Sequence, residues 1–189
     1  MKKIDLTNVQ EAGEFKRLPA GAYNCIIRKV EDFPDKEYLC VTYDIAEGEY
    51  AGYYDEMRKN HPDWGNIGLL YKSYKPKALP MFKRFCSAVS KSNGKYVFDG
   101  GTINADEQTL VGKRIGLVLG EEQYYTNSGD LKTRLYVNRE CAIADLENQK
   151  LPKVKVPAEA TTTTATTGLK NASDNWQIPE NSDEEVPWA

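Results

Sequence analysis

Apolar and polar positions alternate through the first third of the chain. KEYLCVTYDIA, residues 36–46, sets Leu39, Val41, Tyr43 and Ile45 on one face and Cys40, Thr42 and Asp44 on the other. That is the period-two pattern of a half-buried antiparallel strand. Ahead of it, the turn Leu18-Pro-Ala-Gly21 launches AYNCIIRKV, a first strand, and Glu31-Asp-Phe-Pro-Asp35 supplies the hairpin loop. EYAGYYDEMRK, residues 49–59, marked by glycines at 48 and 52, predicts a third strand of irregular alternation. The period then changes. Leu79, Phe82, Phe85, Cys86 and Val89 fall at i, i+3, i+6, i+7 and i+10, which predicts a helix over 76–92, ended by Asn93-Gly94. KRIGLVLGEEQYYT and LKTRLYVNRE are two further strands about the turn Asn127-Ser-Gly-Asp130.

Three strands, a helix and two more strands is the order of a five-stranded Greek-key barrel, the OB-fold, whose front face and loops bind single strands and oligosaccharides. The expected class is therefore mainly β, an OB-like barrel with a helix between strands 3 and 4. Other small barrels and α+β domains share the same element order. The pattern stops near Lys155, where PAEATTTTATTGLKNASDN offers almost nothing to bury and cannot offset the entropy of ordering. The chain divides accordingly into an N-terminal extension over 1–14, the barrel over 15–148, a disordered linker over 149–181 and an acidic tip over 182–189. As a flexible coil, the roughly 26 residues from Pro157 to Ser182 would span about 30 Å, so the tip can range away from the barrel.

Charge sharpens that division. The whole chain carries a net −3, which taken alone argues against a nucleic-acid binder. Residues 157–189, however, hold six acids against Lys170, for −5, which leaves +2 on residues 1–156. A mildly basic body carries an acidic tail. The four cysteines, Cys25, Cys40, Cys86 and Cys141, are too scattered for a zinc ribbon or a disulfide framework. No apolar run approaches the roughly 20 residues of a membrane span, and no signal core follows Met1. A reduced cytoplasm is expected.

Catalytic chemistry is poorly supplied. His61 is the only histidine, and no nucleophile elbow, zinc-binding helix or C-x-x-C pair is present. Gly112-Lys-Arg114 lacks the upstream glycine and the Ser or Thr of a phosphate-cradling loop. Asp44, Glu47, Glu49, Asp55 and Glu56, with Lys59 nearby, allow a magnesium-dependent nuclease as an alternative, against the plainer reading of a solvated strand edge. No cofactor, no metal and no catalytic residue is expected. Basic residues interleaved with aromatics are the better signal. In LKTRLYVNR, with Leu131, Thr133, Leu135 and Val137 inward, Lys132, Arg134, Tyr136 and Asn138 share the opposite face. Phosphates require positive charge, and unpaired bases stack on rings without sequence preference. Tyr53, Tyr54, Arg58, Lys59, His61, Trp64, Tyr71, Lys72, Tyr74, Lys75 and Lys77 crowd into a second cluster, and Tyr124 and Tyr125 extend the first at the hairpin.

The ending SDEEVPWA, residues 182–189, resembles the acidic tip of bacterial single-stranded DNA-binding proteins, which hangs from a low-complexity linker behind an OB-fold and recruits replication and repair proteins. Asp183, Glu184 and Glu185 match the acids, Val186 the aliphatic, Pro187 the proline and Trp188 the aromatic. Trp stands where that family has Phe, and Ala189 moves the terminal carboxylate off the ring. The body is similar to a family of phage replication-module proteins carried as a domain of unknown function, through Ile4-Asp-Leu6, the turn Leu18-Pro-Ala-Gly-Ala-Tyr23 and Gly48-Glu-Tyr-Ala-Gly52. Together the resemblances imply non-enzymatic, sequence-nonspecific binding of single-stranded DNA in phage replication or recombination, with replication proteins docked at the tip. A protein-protein adaptor that binds no DNA is the other alternative.

Overall fold

The computed structural model describes residues 2–5, 7, 16–126 and 128–157. Five strands carry the fold: β1 (Gly21–Phe33), β2 (Tyr38–Ile45), β3 (Leu69–Ser73), β4 (Arg114–Tyr125) and β5 (Leu131–Cys141). They run in the order β3-β2-β1-β4-β5, every neighbour antiparallel. The long strands β1 and β5 each break register once, at Arg28 and at Asn138, and such bulges bend a strand enough for a sheet to curl on itself. The curl brings the two edge strands together. No backbone ladder joins β3 to β5 among the described residues; Lys72 of β3 and Glu140 of β5 meet across the seam at 2.6 Å instead. The result is a nearly closed, OB-like barrel.

The inward face of β2 is as its alternation predicts, with Leu39, Val41, Tyr43 and Ile45 all buried. They join Cys25 and Ile27 of β1 and Ile115, Leu117 and Leu119 of β4 in one core. Helix α2 (Leu79–Ser92), between β3 and β4, plugs that core with Phe82, Phe85, Cys86, Ala88 and Val89. Leu79, at the head of the stripe, stays half exposed because it sits at the first helical position, outside the barrel end. On β5 the inward set holds at Leu135 and Val137, but Leu131, at the hairpin tip, is exposed.

The predicted third strand over 49–59 is a helix. Helix α1 (Tyr53–Asn60) lies between β2 and the true third strand, β3. Its local chemistry is helical: Gly52 adopts the left-handed turn that starts it, acids Asp55 and Glu56 occupy the first turn, and Arg58 and Lys59 the last. The decisive contact is remote in sequence. Asp44, buried at the end of β2, accepts hydrogen bonds from Tyr54 N at 2.8 Å and Asp55 N at 3.3 Å, satisfying two orphan amides of the first turn.

The acidic tip and most of the linker, residues 158–189, lie outside the described residues, as does most of the extension over 1–14. Residues 149–157 are described. Past the point where β1 stops pairing with β4, Lys155 accepts from Gln123 N at 2.8 Å and donates to Glu121 O at 2.9 Å, forming a one-residue parallel bridge to Glu122 on the free edge of β4. No helix among the described residues is long and apolar enough to cross a membrane.

Candidate nucleic-acid interface

The outer faces of β1, β2 and β3 carry a ladder of rings. Phe33, at the end of β1, stacks on Tyr38, its cross-strand partner at the start of β2, with centroids 4.9 Å apart. Tyr38 in turn meets Tyr71 of β3 edge to face at 5.7 Å. Residues opposite or diagonal on one face of an antiparallel pair come within reach of aromatic side chains, so the ladder follows from register. Phe33 is 37% exposed and Tyr71 45%. No cation lies over any of the three rings among the described residues. Tyr71 covers Cys40, whose thiol burial pushes up, so it stays neutral at neutral pH. The nearest acid in the row, Glu31, pairs with Lys29 at 2.9 Å.

A second exposed ring stands beyond α1, with one face covered. Trp64 is 55% exposed and stacks on His61, with centroids 4.0 Å apart and planes 9° from parallel. Lys59 is exposed nearby in sequence, as is Lys75 beyond β3.

The other expected contacts fall differently. Tyr54 is buried at 8% exposure against Tyr43 and Tyr53, with its hydroxyl pushed up by burial, and belongs to the core. Arg58 points back into the fold, donating to Ile67 O at 2.9 Å and to the Asp55 carboxylate. Lys72, expected to meet phosphate, is 7% exposed and committed to Glu140. These three are corrections: Tyr54 and Arg58 belong to a helix whose side chains turn back into the fold, not to a strand, and Lys72 is an inward-facing residue of β3, a strand the alternation did not mark. Tyr74 packs edge to face on Phe82 and donates its hydroxyl to Asp32. Burial, with that hydrogen bond, raises its pKa to about 12.

At the β4–β5 hairpin, Tyr125 is exposed, as is Lys132. Tyr124 lies 5.1 Å beneath the Arg134 guanidinium, which is held by Glu122 at 2.8 Å. Tyr136 lies 3.9 Å beneath the Lys155 ammonium. A Cβ at Gly120 would stand 2.6 Å from Pro152 and 2.9 Å from the Tyr136 ring, so the glycine is what lets the segment after β5 lie this close. Both rings are therefore occupied by the chain's own cations.

Four of the five acids considered for a nuclease are engaged too, and the fifth, Glu56, is exposed on α1. Asp44 is buried and caps α1. Asp55 binds Arg28 at 2.9 Å and Arg58, Glu47 binds Arg114 at 3.0 Å, and Glu49 binds Lys16 at 2.9 Å. Burial pushes the Asp44 carboxyl up, and its contact with Asp55 adds to that. On Asp55 burial acts the same way, but hydrogen bonds from Arg58 and Asp44 and the charges of Arg28 and Arg58 outweigh it and the net shift is down.

Pattern reading missed Phe33 and Tyr38, which it had assigned to a hairpin loop and a strand start. The available signal was their placement on either side of the Pro34-Asp35 turn, which makes them cross-strand partners. It also missed that residues 64–98 hold seven Lys and Arg and no acid. No protein-family model matches this chain, and no curated protein matches it.

Proposed function

We propose that this protein binds single-stranded DNA without sequence preference, in phage replication or recombination, and that its acidic tip recruits replication proteins. The observation that carries the reading is the ladder of Phe33, Tyr38 and Tyr71 across three adjacent strands of an OB-like barrel, Phe33 and Tyr71 exposed and Tyr38 half-buried between them, with no cation over it among the described residues. Each ring offers a π face, and stacking is worth about 1–3 kcal/mol per unpaired base. Duplex bases, already stacked and paired, cannot use it. The acid-free run over 64–98 supplies phosphate partners next to the ladder. The recruiting role of Asp183, Glu184, Glu185, Val186, Pro187 and Trp188 rests on the resemblance of the tip alone.

Fluorescence anisotropy of a labelled oligothymidine, at several salt concentrations and beside a duplex of equal length, tests the reading. Binding to the single strand that weakens steeply with salt is expected. Absence of binding at low salt, or equal binding to the duplex, would overturn it.

A further inference from the structure

Glu140 occupies an unusual position for an acid. The bulge at Asn138 reverses the alternation of β5 and turns Glu140 beneath the sheet edge, leaving its side chain 3% exposed. A buried carboxylate is costly unless paired. One oxygen accepts from Lys72 Nζ at 2.6 Å and the other from Arg84 Nε of α2 at 3.0 Å. Burial raises its pKa, but the charge and hydrogen bond of Lys72, then those of Arg84, outweigh burial and hold it below the ordinary range. Lys72 alone balances the charge of Glu140, so the charge of Arg84 is surplus. The Nε bond orients the guanidinium, whose two terminal nitrogens make no hydrogen bond among the described residues. The side chain is 47% exposed.

That guanidinium opens into a cleft of about 370 Å³ between α2 and β5. Lys91, two turns further along α2, and Arg139 of β5 line the same cleft, both exposed and both without an ion pair among the described residues. Asp145 is the one other acid on the lining. The floor is small, with Ala88 and Ala142 and no ring on which a base or an indole would stack. A forked donor with flanking cations and no aromatic suits a backbone oxyanion. The two sites lie on adjoining edge strands, because β3 carries Tyr71 on its outer face and, one residue on, Lys72 on its inner face against Glu140 of β5.

Resting on the reading of the protein as a single-strand binder, we propose that the α2–β5 cleft holds a phosphodiester of the same strand, on a second track separate from the aromatic ladder. A strand long enough to leave the ladder and cross the β3–β5 seam engages Arg84, Lys91 and Arg139 through its backbone. A short strand engages the ladder alone. The acidic tip is the poorer occupant, since Trp188 would find no pocket there.

The test compares labelled oligothymidines of about 8 and about 30 nucleotides, the first within and the second well beyond the roughly 4–16 nucleotides that one OB-fold covers, on the full chain and on its Lys91→Gln/Arg139→Gln variant. Both side chains are exposed and make no ion pair among the described residues, so the variant retains the fold. The expected result is unchanged short-strand affinity, about tenfold weaker long-strand affinity, and a long-strand salt slope shallower by about 1.4 for two lost phosphate contacts. Equal loss on both lengths, or none on the long strand, would overturn the second track while leaving the ladder. If the wild type binds neither strand, the functional reading falls and the track with it. A labelled SDEEVPWA peptide whose binding vanishes in the variant, with long-strand affinity unchanged, would assign the cleft to the tip instead.

Discussion

Two aromatic surfaces stand on opposite sides of the β3–β5 seam, and they differ in one respect. On β1–β2–β3, Phe33 and Tyr71 each touch Tyr38, and among the described residues no cation lies over the three rings. On β4–β5, Tyr124 and Tyr136 lie beneath Arg134 and Lys155. Composition makes the second surface the more attractive, since it interleaves aromatic and basic residues on one strand face. Geometry reverses the ranking. A cation that already sits over a ring occupies the face a base would use, and a cation–π contact of about 0.5–1 kcal/mol at an exposed site has to be given up before the base can stack. Proximity of rings and cations marks a binding face only where the two are not already partners.

The largest effect falls on what the two surfaces share. Lys72 joins the strand that carries Tyr71 to the strand that carries Tyr136. Removing it by Lys72→Ala leaves Glu140 buried with the half-exposed Arg84 as its one partner, so the loss should be about 2 kcal/mol or more, short of the about 3–5 kcal/mol for a buried charge left with no partner. Urea denaturation should show that loss. A change within about 0.5 kcal/mol, the range of ordinary surface substitutions, would mean the seam is held by something else. Next in size is Tyr71→Ala. Loss of one stacking ring should weaken oligothymidine binding by about 1–3 kcal/mol, roughly five- to 150-fold, with the salt slope unchanged because no phosphate contact is removed. A shallower slope would place phosphate, not a base, at Tyr71.

Much of the barrel was legible because strict alternation has few interpretations. The β2 pattern placed Leu39, Val41, Tyr43 and Ile45 correctly, and the i, i+3, i+7 spacing of Phe82, Phe85 and Val89 located α2. Helix α1 was not legible. Its apolar stripe, Tyr53, Tyr54 and Met57, is little more than one turn long, and the contact that stabilises its first turn comes from Asp44, ten residues earlier on another element. With α1 and β3 both unmarked, nothing in the pattern showed Tyr54 and Arg58 as helix residues turned into the fold, or Lys72 as the inward residue of a strand. The ladder was hidden for a related reason. Phe33 and Tyr38 become neighbours only when register pairs them across the turn.

Acid probes the seam more gently than mutation. The folded-state pKa of Glu140 lies below its ordinary value of 4.5, so its contribution is complete above about that pH and is lost as pH falls through the folded value. Asp44 shifts the other way, and its contribution is present below the ordinary carboxylate range and lost as pH rises through its raised value. Protonating Glu140 leaves a group that still hydrogen-bonds, so the loss should be smaller than for Lys72→Ala. The urea midpoint of the wild type should fall more steeply below pH 4.5 than that of Glu140→Gln. Parallel curves would remove Glu140 from the acid response.

The smallest effect is the most informative for the comparison. Tyr136→Ala should weaken oligothymidine binding by less than about 1 kcal/mol, because Lys155 and Pro152 already cover the ring and a base gains only what remains after displacing them. Lys155→Ala strips the cation at the cost of one positive charge. In that background the ring is bare, as Tyr71 is, and Tyr136→Ala should cost more than it does alone. The difference between the two costs is the coupling energy of a double-mutant cycle, and it isolates the covering contact from the loss of charge. Equal costs would mean that Lys155 does not compete with the base. A cost for Tyr136→Ala as large as that for Tyr71→Ala would end the distinction between an open ring and an occupied one, and return the β4–β5 hairpin to the interface on equal terms.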